Sequence, residues 1–194
     1  MFGKDVYYEV ELGSICDIAR GASPRPIDQY ITNDDNGINW IRIGDANESR
    51  YITSTAEKIT IDGAKKSRFV KAGDFILSNS MSFGRPYILK IDGCIHDGWL
   101  VLKFDKSKLN VIYFYEYLSL PSTYEKMKNL ASGMVVENLN SYVIEKLPIL
   151  LPPLDKQNEF ASYVDSIDKL RFAAEQKKKE LLEQKKALFD KYFR

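Results

Sequence analysis

Apolar and polar positions alternate along the first hundred residues with the short period of a sheet protein. "WIRIGD" (Trp40–Asp45) puts Ile41 and Ile43 on one face of an extended segment and Trp40 and Arg42 on the other. "DFILSNS" (Asp74–Ser80) and "WLVLKF" (Trp99–Phe104) predict further strands. Turn formers separate these runs at Asp34–Gly37, Asp62–Gly63, Ala72–Gly73 and Asp92–Gly93. "RGASPRP" (Arg20–Pro26) reads as an irregular loop, because two prolines within three residues lack ladder donors and oppose helical geometry. The pattern changes at Asn110. "NVIYFYEYLSL" and "STYEKMKNLA" predict two helices broken at Pro121, with Ser122 as N-cap of the second and Glu125 completing a capping box. "SGMVVENLN" then returns the chain to a strand or loop. "KLPILLPPL" (Lys146–Leu154) reads as an extended hinge or linker. Residues 1–150 are thus expected to form one domain and residues 151–194 a separate element.

That terminal element has the strongest periodicity in the chain. Residues 155–194 contain neither Gly nor Pro, and Phe160, Ile167, Ala174, Leu181 and Leu188 recur every seven positions. Val164 and Leu170 thicken the seam at its start, and Leu182, Phe189 and Tyr192 do so at its end. A heptad repeat of this length predicts a coiled-coil helix, roughly 60 Å long at about 1.5 Å per residue. Its expected partner is a second copy or another subunit, the alternative being a solvated helix packed on its own domain. Phe160, Ile167, Leu170, Leu181 and Leu188 are the expected contacts. The fold class expected from these patterns is α+β, a mixed β-rich domain followed by one long helix.

Composition narrows the function. The chain has 194 residues, 44% hydrophobic and 28% charged, as in a globular protein with a substantial core. Two cysteines, Cys16 and Cys94, fit neither a zinc pattern nor a disulfide framework. No stretch approaches the ~18 apolar residues of a membrane span, and "MFGKDVYYEV" lacks the apolar run of a signal peptide, so a cytoplasmic setting is expected. Net charge is only +1. Residues 155–194 carry ten Lys/Arg against eight Asp/Glu, which leaves the first 154 residues at −1. A protein that binds nucleic acid by charge alone is usually basic, so any DNA affinity here must come from local patches, from a second copy or from partner subunits.

Three local clusters could carry chemistry. "GCIHDGWLVL" (Gly93–Leu102) brings Cys94, His96 and Asp97 within four positions. In an extended segment Cys94 and His96 share a face and Asp97 points away, so a strand and turn explain the cluster better than a nucleophile does. "GAKKSRFVKAGD" (Gly63–Asp74) is the densest basic run of the first domain, suited to phosphate contact. "SNSMSFGRPY" (Ser78–Tyr87) ends a strand with Asn and Arg, side chains that pair with adenine and guanine edges. Phosphate-loop, metalloprotease and methyltransferase motifs are absent from the sequence.

Taken in order, "LGSICDIARGASPRP", "GINWIRIGDA", "KKSRFVKAGDFILSNSMSFGRPYI", "CIHDGWLVLKF", "NLASGMVVENLN" and "LPILLPPLDKQNEFASYVDSIDKL" span nearly the whole chain. This order resembles the DNA-specificity subunit of type I restriction-modification systems. The resemblance implies a non-catalytic reader of double-stranded DNA with no cofactor of its own. It also implies two modification subunits that methylate adenine with S-adenosylmethionine, and a motor-nuclease subunit as a further partner. Such subunits carry two recognition domains and two helices. Here one of each is found, with no internal repeat. Two copies pairing their helices antiparallel would rebuild the full reader and recognise an inverted repeat with an unread gap. Three alternatives stay open: an inactive fragment, an interaction module without DNA, and a small hydrolase using Cys94 and His96.

Residue types on loops and strand ends give the expected DNA contacts. These are Arg25 in the proline loop, Arg42, Asn47 and Arg50 on and after "WIRIGD", the basic Lys65, Lys66 and Arg68, and Asn79, Ser80, Ser82 and Arg85 in the polar loop. Lys66 is expected on phosphate, Arg85 on bases.

Overall fold

The alternating runs become twelve strands among the described residues, which are 7–79, 83–131 and 140–193 of a computed structural model. In chain order these are β1 (Glu9–Glu11), β2 (Cys16–Arg20), β3 (Ile31–Thr32), β4 (Ile38–Ile41), β5 (Tyr51–Ile52), β6 (Glu57–Ile59), β7 (Arg68–Val70), β8 (Phe75–Ser78), β9 (Pro86–Leu89), β10 (Gly93–Ile95), β11 (Trp99–Phe104) and β12 (Pro148–Leu150). The helices are α1 (Ile61–Ala64), α2 (Val111–Ser119), α3 (Pro121–Ala131), α4 (Ser141–Glu145) and α5 (Leu154–Phe193). The fold is α+β, as expected.

Two five-stranded sheets stack. One runs β3-β6-β4-β10-β7 and the other β2-β11-β8-β9-β5. Both are mixed: β4 and β10 are parallel, as are β5 and β9, and the other pairs are antiparallel. Period-two alternation sorts the side chains between layers. In β8 and β11, Ile76, Trp99 and Val101 face the first sheet and meet Ile41, Val70 and Ile95. Their neighbours Phe75, Leu77, Leu100 and Leu102 face the other way, onto Phe114 and Leu118 of α2 and Met127 of α3. Strands buried on both faces read as continuous apolar runs, which is why "WLVL" lacks a polar partner set. On the far side of the first sheet, Trp40, Ile59 and Cys94 form a third cluster with Tyr30 and Ala64.

Local chemistry corrects several sequence-based boundaries. The "WIRIGD" strand ends at Ile41, and Ile43–Asp45 form a 3-10 turn held by Asp45, whose Oδ2 accepts from the Arg42 amide at 2.7 Å. Asp62–Gly63 is the middle of α1 rather than a turn, because the Thr60 side chain caps that helix by accepting from the Gly63 amide. The second of the paired helices starts at Pro121, so Ser122 lies inside its first turn and is not the N-cap. Proline suits that first position because its missing N–H has no helical acceptor there. The proline-rich segment is extended but is not a free linker. β12 pairs antiparallel with β1, and Leu147 and Ile149 are fully buried. Most of "SGMVVENLN" lies outside the described residues.

The long helix is present. At 40 residues α5 reaches about 60 Å. Only its root packs on the domain. Gln157 is fully buried: its Oε1 accepts from the Asn110 amide at 2.8 Å, and its Nε2 donates to the carbonyls of Pro152 at 2.7 Å and Lys108 at 3.1 Å. Asn110 caps α2 with its own side chain and donates to Asn158 Oδ1 at 2.8 Å. The Phe160 ring meets the edge of Tyr113. Farther out, Ile167, Leu170, Leu181 and Leu188 are exposed.

Candidate nucleic-acid interface

The proline loop is fastened to the turn between β10 and β11. The Gly21 amide donates to the Trp99 carbonyl and the Ala22 amide to the Ile95 carbonyl. At Gly21 a Cβ would lie 2.1 Å from the His96 carbonyl oxygen, so only glycine admits this approach. The loop thereby lands on Asp97. Ser23 Oγ donates to Asp97 Oδ1 at 2.7 Å, Arg25 Nη2 lies 3.2 Å from Oδ2, and Arg20 Nη2 lies 3.9 Å from it. The Asp97 backbone carbonyl accepts from Arg20 Nε at 2.7 Å and Asn79 Nδ2 at 3.0 Å.

His96 completes the group as a neutral imidazole. Its Nδ1 accepts from the Gly98 amide at 2.8 Å, which leaves the proton on Nε2, 3.0 Å from Asp97 Oδ1. Partial burial holds its pKa below the usual value. The Asp97 carboxylate opposes that shift, and Arg42, Arg25 and Arg20 reinforce it. Partial burial works to raise the Asp97 pKa, but the Ser23 hydrogen bond, His96 and Arg20 outweigh it, so the carboxyl titrates below its usual range. Cys94 is fully buried beneath the neighbouring cluster, and burial pushes its thiol up. A neutral, inaccessible thiol beside an imidazole whose Nδ1 is already occupied is no nucleophile–base pair.

The basic run flanks the same loop. Ser67 Oγ donates to the Ala22 carbonyl and Arg68 Nε to the Arg20 carbonyl. Lys66 reaches Tyr30, both its hydroxyl and its ring face. Lys65 is paired with Asp62 at 2.8 Å. On the other flank a cleft of about 630 Å³ opens between the loop and β4, lined by Arg25, Ile27, Trp40, Arg42, Glu57 and His96. Arg42 Nη2 lies 3.0 Å from Glu57 Oε1. Among the described residues no group of three or more His, Cys, Asp or Glu could hold a metal ion.

Five of the residues named from sequence, Arg25, Arg42, Lys65, Lys66 and Arg68, therefore belong to one neighbourhood around this loop. Others do not. Arg85 lies in a separate groove against α2 and α3, its guanidinium over Tyr87, whose hydroxyl donates to the Asn47 carbonyl. Asn47 itself is exposed and turns its side chain back to the Ser49 amide. Arg50 serves the fold instead. Its side chain is 14% exposed and clasped by Glu116 at 3.2 Å and Asp168 at 2.7 Å, tying the domain to α5. Its charge is engaged within the fold, away from the neighbourhood of the proline loop. Asn79 is likewise buried against Asp97 rather than presented outward. Ser80 and Ser82 lie outside the described residues. Sequence reasoning missed Arg20, Glu57, His96 and Asp97 as parts of this surface. The only signal was the "HDG" turn, whose partners lie more than seventy residues away.

A model of the type I restriction modification DNA specificity domain matches residues 5–184. The chain belongs to that family. Its fold is correspondingly close to solved specificity subunits. The HsdS subunit of Thermoanaerobacter tengcongensis superposes with a TM-score of 0.68 at 23% identity, covering 99% of this chain and 46% of that one. A chain from a structure of type I R-M complex assembly and conformational transition gives 0.70 at 25% identity, covering 99% and 47%. The S subunit of M. genitalium gives 0.61 at 17%, covering 99% and 46%. Among curated proteins, the type I restriction enzyme MjaX specificity subunit of Methanocaldococcus jannaschii is 29% identical over 122 residues, 63% of this chain and 28% of the relative. The chain thus spans less than half the length of these relatives. A specificity domain is a DNA-recognition component. No helix among the described residues is long and apolar enough to cross a membrane.

Proposed function

We propose that this specificity domain reads double-stranded DNA through the surface around the proline loop and directs partner modification subunits to methylate adenine in the recognised site. The observation that carries the reading is the family match over residues 5–184. The surface supports it: Arg25 on the proline loop and Lys66 and Arg68 beside it concentrate cationic side chains there although the chain as a whole is nearly neutral. S-adenosylmethionine would belong to the modification subunits. A motor-nuclease subunit would join the same complex, in the cytoplasm.

The exposed seam of α5 supports a homodimer. Ile167 is 55% exposed, Leu181 53% and Leu188 56%, with Leu182 and Phe189 beside them. An isolated helix with such a stripe gains by burying it against a like stripe. Antiparallel pairing of two copies about a two-fold axis sets two identical reading surfaces at opposite ends, and the DNA site then becomes a gapped inverted repeat. Base-resolved methylation mapping of the source genome, with and without this gene, tests the proposal. Loss of a gapped palindromic adenine-methylated motif on deletion is expected. Loss of an asymmetric gapped motif overturns the homodimer and leaves the reading role. An unchanged methylome overturns the role.

A further inference from the structure

We propose that Arg25 reads a guanine edge in the major groove and that Asp97 is the positioning residue that aims it. This deepens the DNA-reading role proposed above and rests on it. The Arg25 side chain is 79% exposed, at the crest of the proline loop, yet Asp97 Oδ2 engages its Nη2 at 3.2 Å. One donor of the five-donor guanidinium is thereby engaged while the side chain as a whole stays exposed. A long side chain ordered before it meets its ligand loses less freedom on binding.

Asp97 is itself immobilised. Its Oδ1 accepts from Ser23 Oγ at 2.7 Å and from His96 Nε2 at 3.0 Å, and its amide donates to Ser23 Oγ at 3.2 Å. Its carbonyl is held by Arg20 and Asn79. The anchor is tied on both its backbone and side-chain sides, from β2, the proline loop and the end of β8.

The carboxylate also decides the ligand. A phosphate beside Asp97 would meet a like charge. A guanine presents neutral acceptors, O6 and N7, that match the planar fork of an arginine and tolerate a nearby carboxylate. Lys66 and Arg68 differ in this respect, since the partners they contact are neutral oxygens, the Tyr30 hydroxyl and the Arg20 carbonyl. They suit the phosphate backbone. Arg42, held by Glu57 across the cleft, repeats the carboxylate-backed arrangement of Arg25.

Selection of bound duplexes from a randomised pool by the full chain, followed by sequencing, tests this. The wild-type protein is expected to enrich a motif containing guanine. Arg25→Gln should lower the guanine preference at one position per half-site on the order of 10- to 100-fold, tilting it toward adenine, which glutamine can pair. Asp97→Asn separates positioning from charge. It removes one negative charge, so electrostatics alone predicts equal or tighter binding to all DNA. Positioning predicts loss of guanine preference at that same position, without weaker binding to random sequence. A motif that survives Arg25→Gln with uniformly weaker binding makes Arg25 a phosphate contact and overturns the inference alone. A preference that survives Asp97→Asn overturns the role of Asp97. Should Asp97→Asn not fold, Arg25→Gln on its exposed loop still decides the base contact, and Ser23→Ala, which removes a hydroxyl that holds the Asp97 carboxylate and amide, decides the positioning: an unchanged guanine preference overturns it. No enriched motif from the wild-type protein overturns the DNA-reading role itself.

Discussion

Replacing Gln157 by Leu should lower the stability of the whole chain by about 3 kcal/mol. Gln157 is fully buried, and its carboxamide satisfies three backbone groups at once: the Asn110 amide and the carbonyls of Lys108 and Pro152. Leucine fills most of the volume and pairs with none of them. Each buried polar group left unpaired costs about 1–3 kcal/mol. Pro152 is buried and should incur the upper part of that range, whereas Lys108 and Asn110 lie near the surface and recover water. For a chain of this size, ~3 kcal/mol corresponds to a drop in Tm of about 6–12 °C. Urea unfolding followed by circular dichroism and by fluorescence of the buried Trp40 and Trp99 measures it. Gln157→Glu supplies a second, signed readout. The carboxylate still accepts from the Asn110 amide but faces two carbonyls, so its pKa in the folded state rises. A raised carboxyl contributes its stability below the unfolded value of ~4.3 and loses it as pH rises through the folded value. Stability of this variant relative to the wild type should therefore improve between pH 7 and pH 5. A loss below about 1 kcal/mol for Gln157→Leu, or a flat pH profile for Gln157→Glu, would refute the reasoning that this one side chain fastens α5 to the domain.

Three further outcomes are expected. Gly21→Ala should destabilise by about 1–3 kcal/mol or more, since its Cβ would sit 2.1 Å from the His96 carbonyl oxygen; unchanged thermal unfolding would remove the close approach. NMR titration should place the His96 pKa below 6.5, so the unfolded chain binds the proton first and stability falls as pH drops below about 6.5; a His96→Gln variant should lack that part of the pH dependence, and a midpoint at or above 6.5 counts against the burial argument. Charges introduced together as Ile167→Glu and Leu181→Glu should convert the dimer proposed above to a monomer by light scattering, and an unchanged mass would move the interface off this seam.

What can be read from the chain follows from the range of each signal. Strands β8 and β11 and helix α5 announce themselves because burial on both faces, or every seventh position, writes a local period. The 3-10 turn at Ile43–Asp45 does not, since it depends on one carboxylate folding back to the Arg42 amide. Ser122 has the right residue type for a cap, but Pro121 takes the first helical position and moves the boundary. The candidate surface shows the same division. Arg25, Arg42 and the basic run stand out by residue type and loop position. Arg50 does so equally, and nothing local reveals that Glu116 and Asp168 lie opposite it. Asp97 is legible only as part of a turn, because its importance comes from β2 and the proline loop closing over it.

The near-zero net charge, which argues against DNA binding when read from composition, takes on a different meaning once the arginines are seen with their partners. Arg25 and Arg20 share Asp97, and Arg42 has Glu57. Each pairing removes long-range attraction that would act on any phosphate backbone alike, and keeps the directional donors that act only at contact. On the proposed reading, a surface built this way would give up sequence-independent affinity, the part of DNA binding most sensitive to salt, while retaining the part that distinguishes one base pair from another. For a reader whose partners would modify every site it settles on, weak attachment to the wrong sequence is as consequential as firm attachment to the right one. Two copies joined through α5 would then recover affinity by binding two half-sites together rather than by adding charge, with the latched root of the helix holding the two surfaces in fixed register.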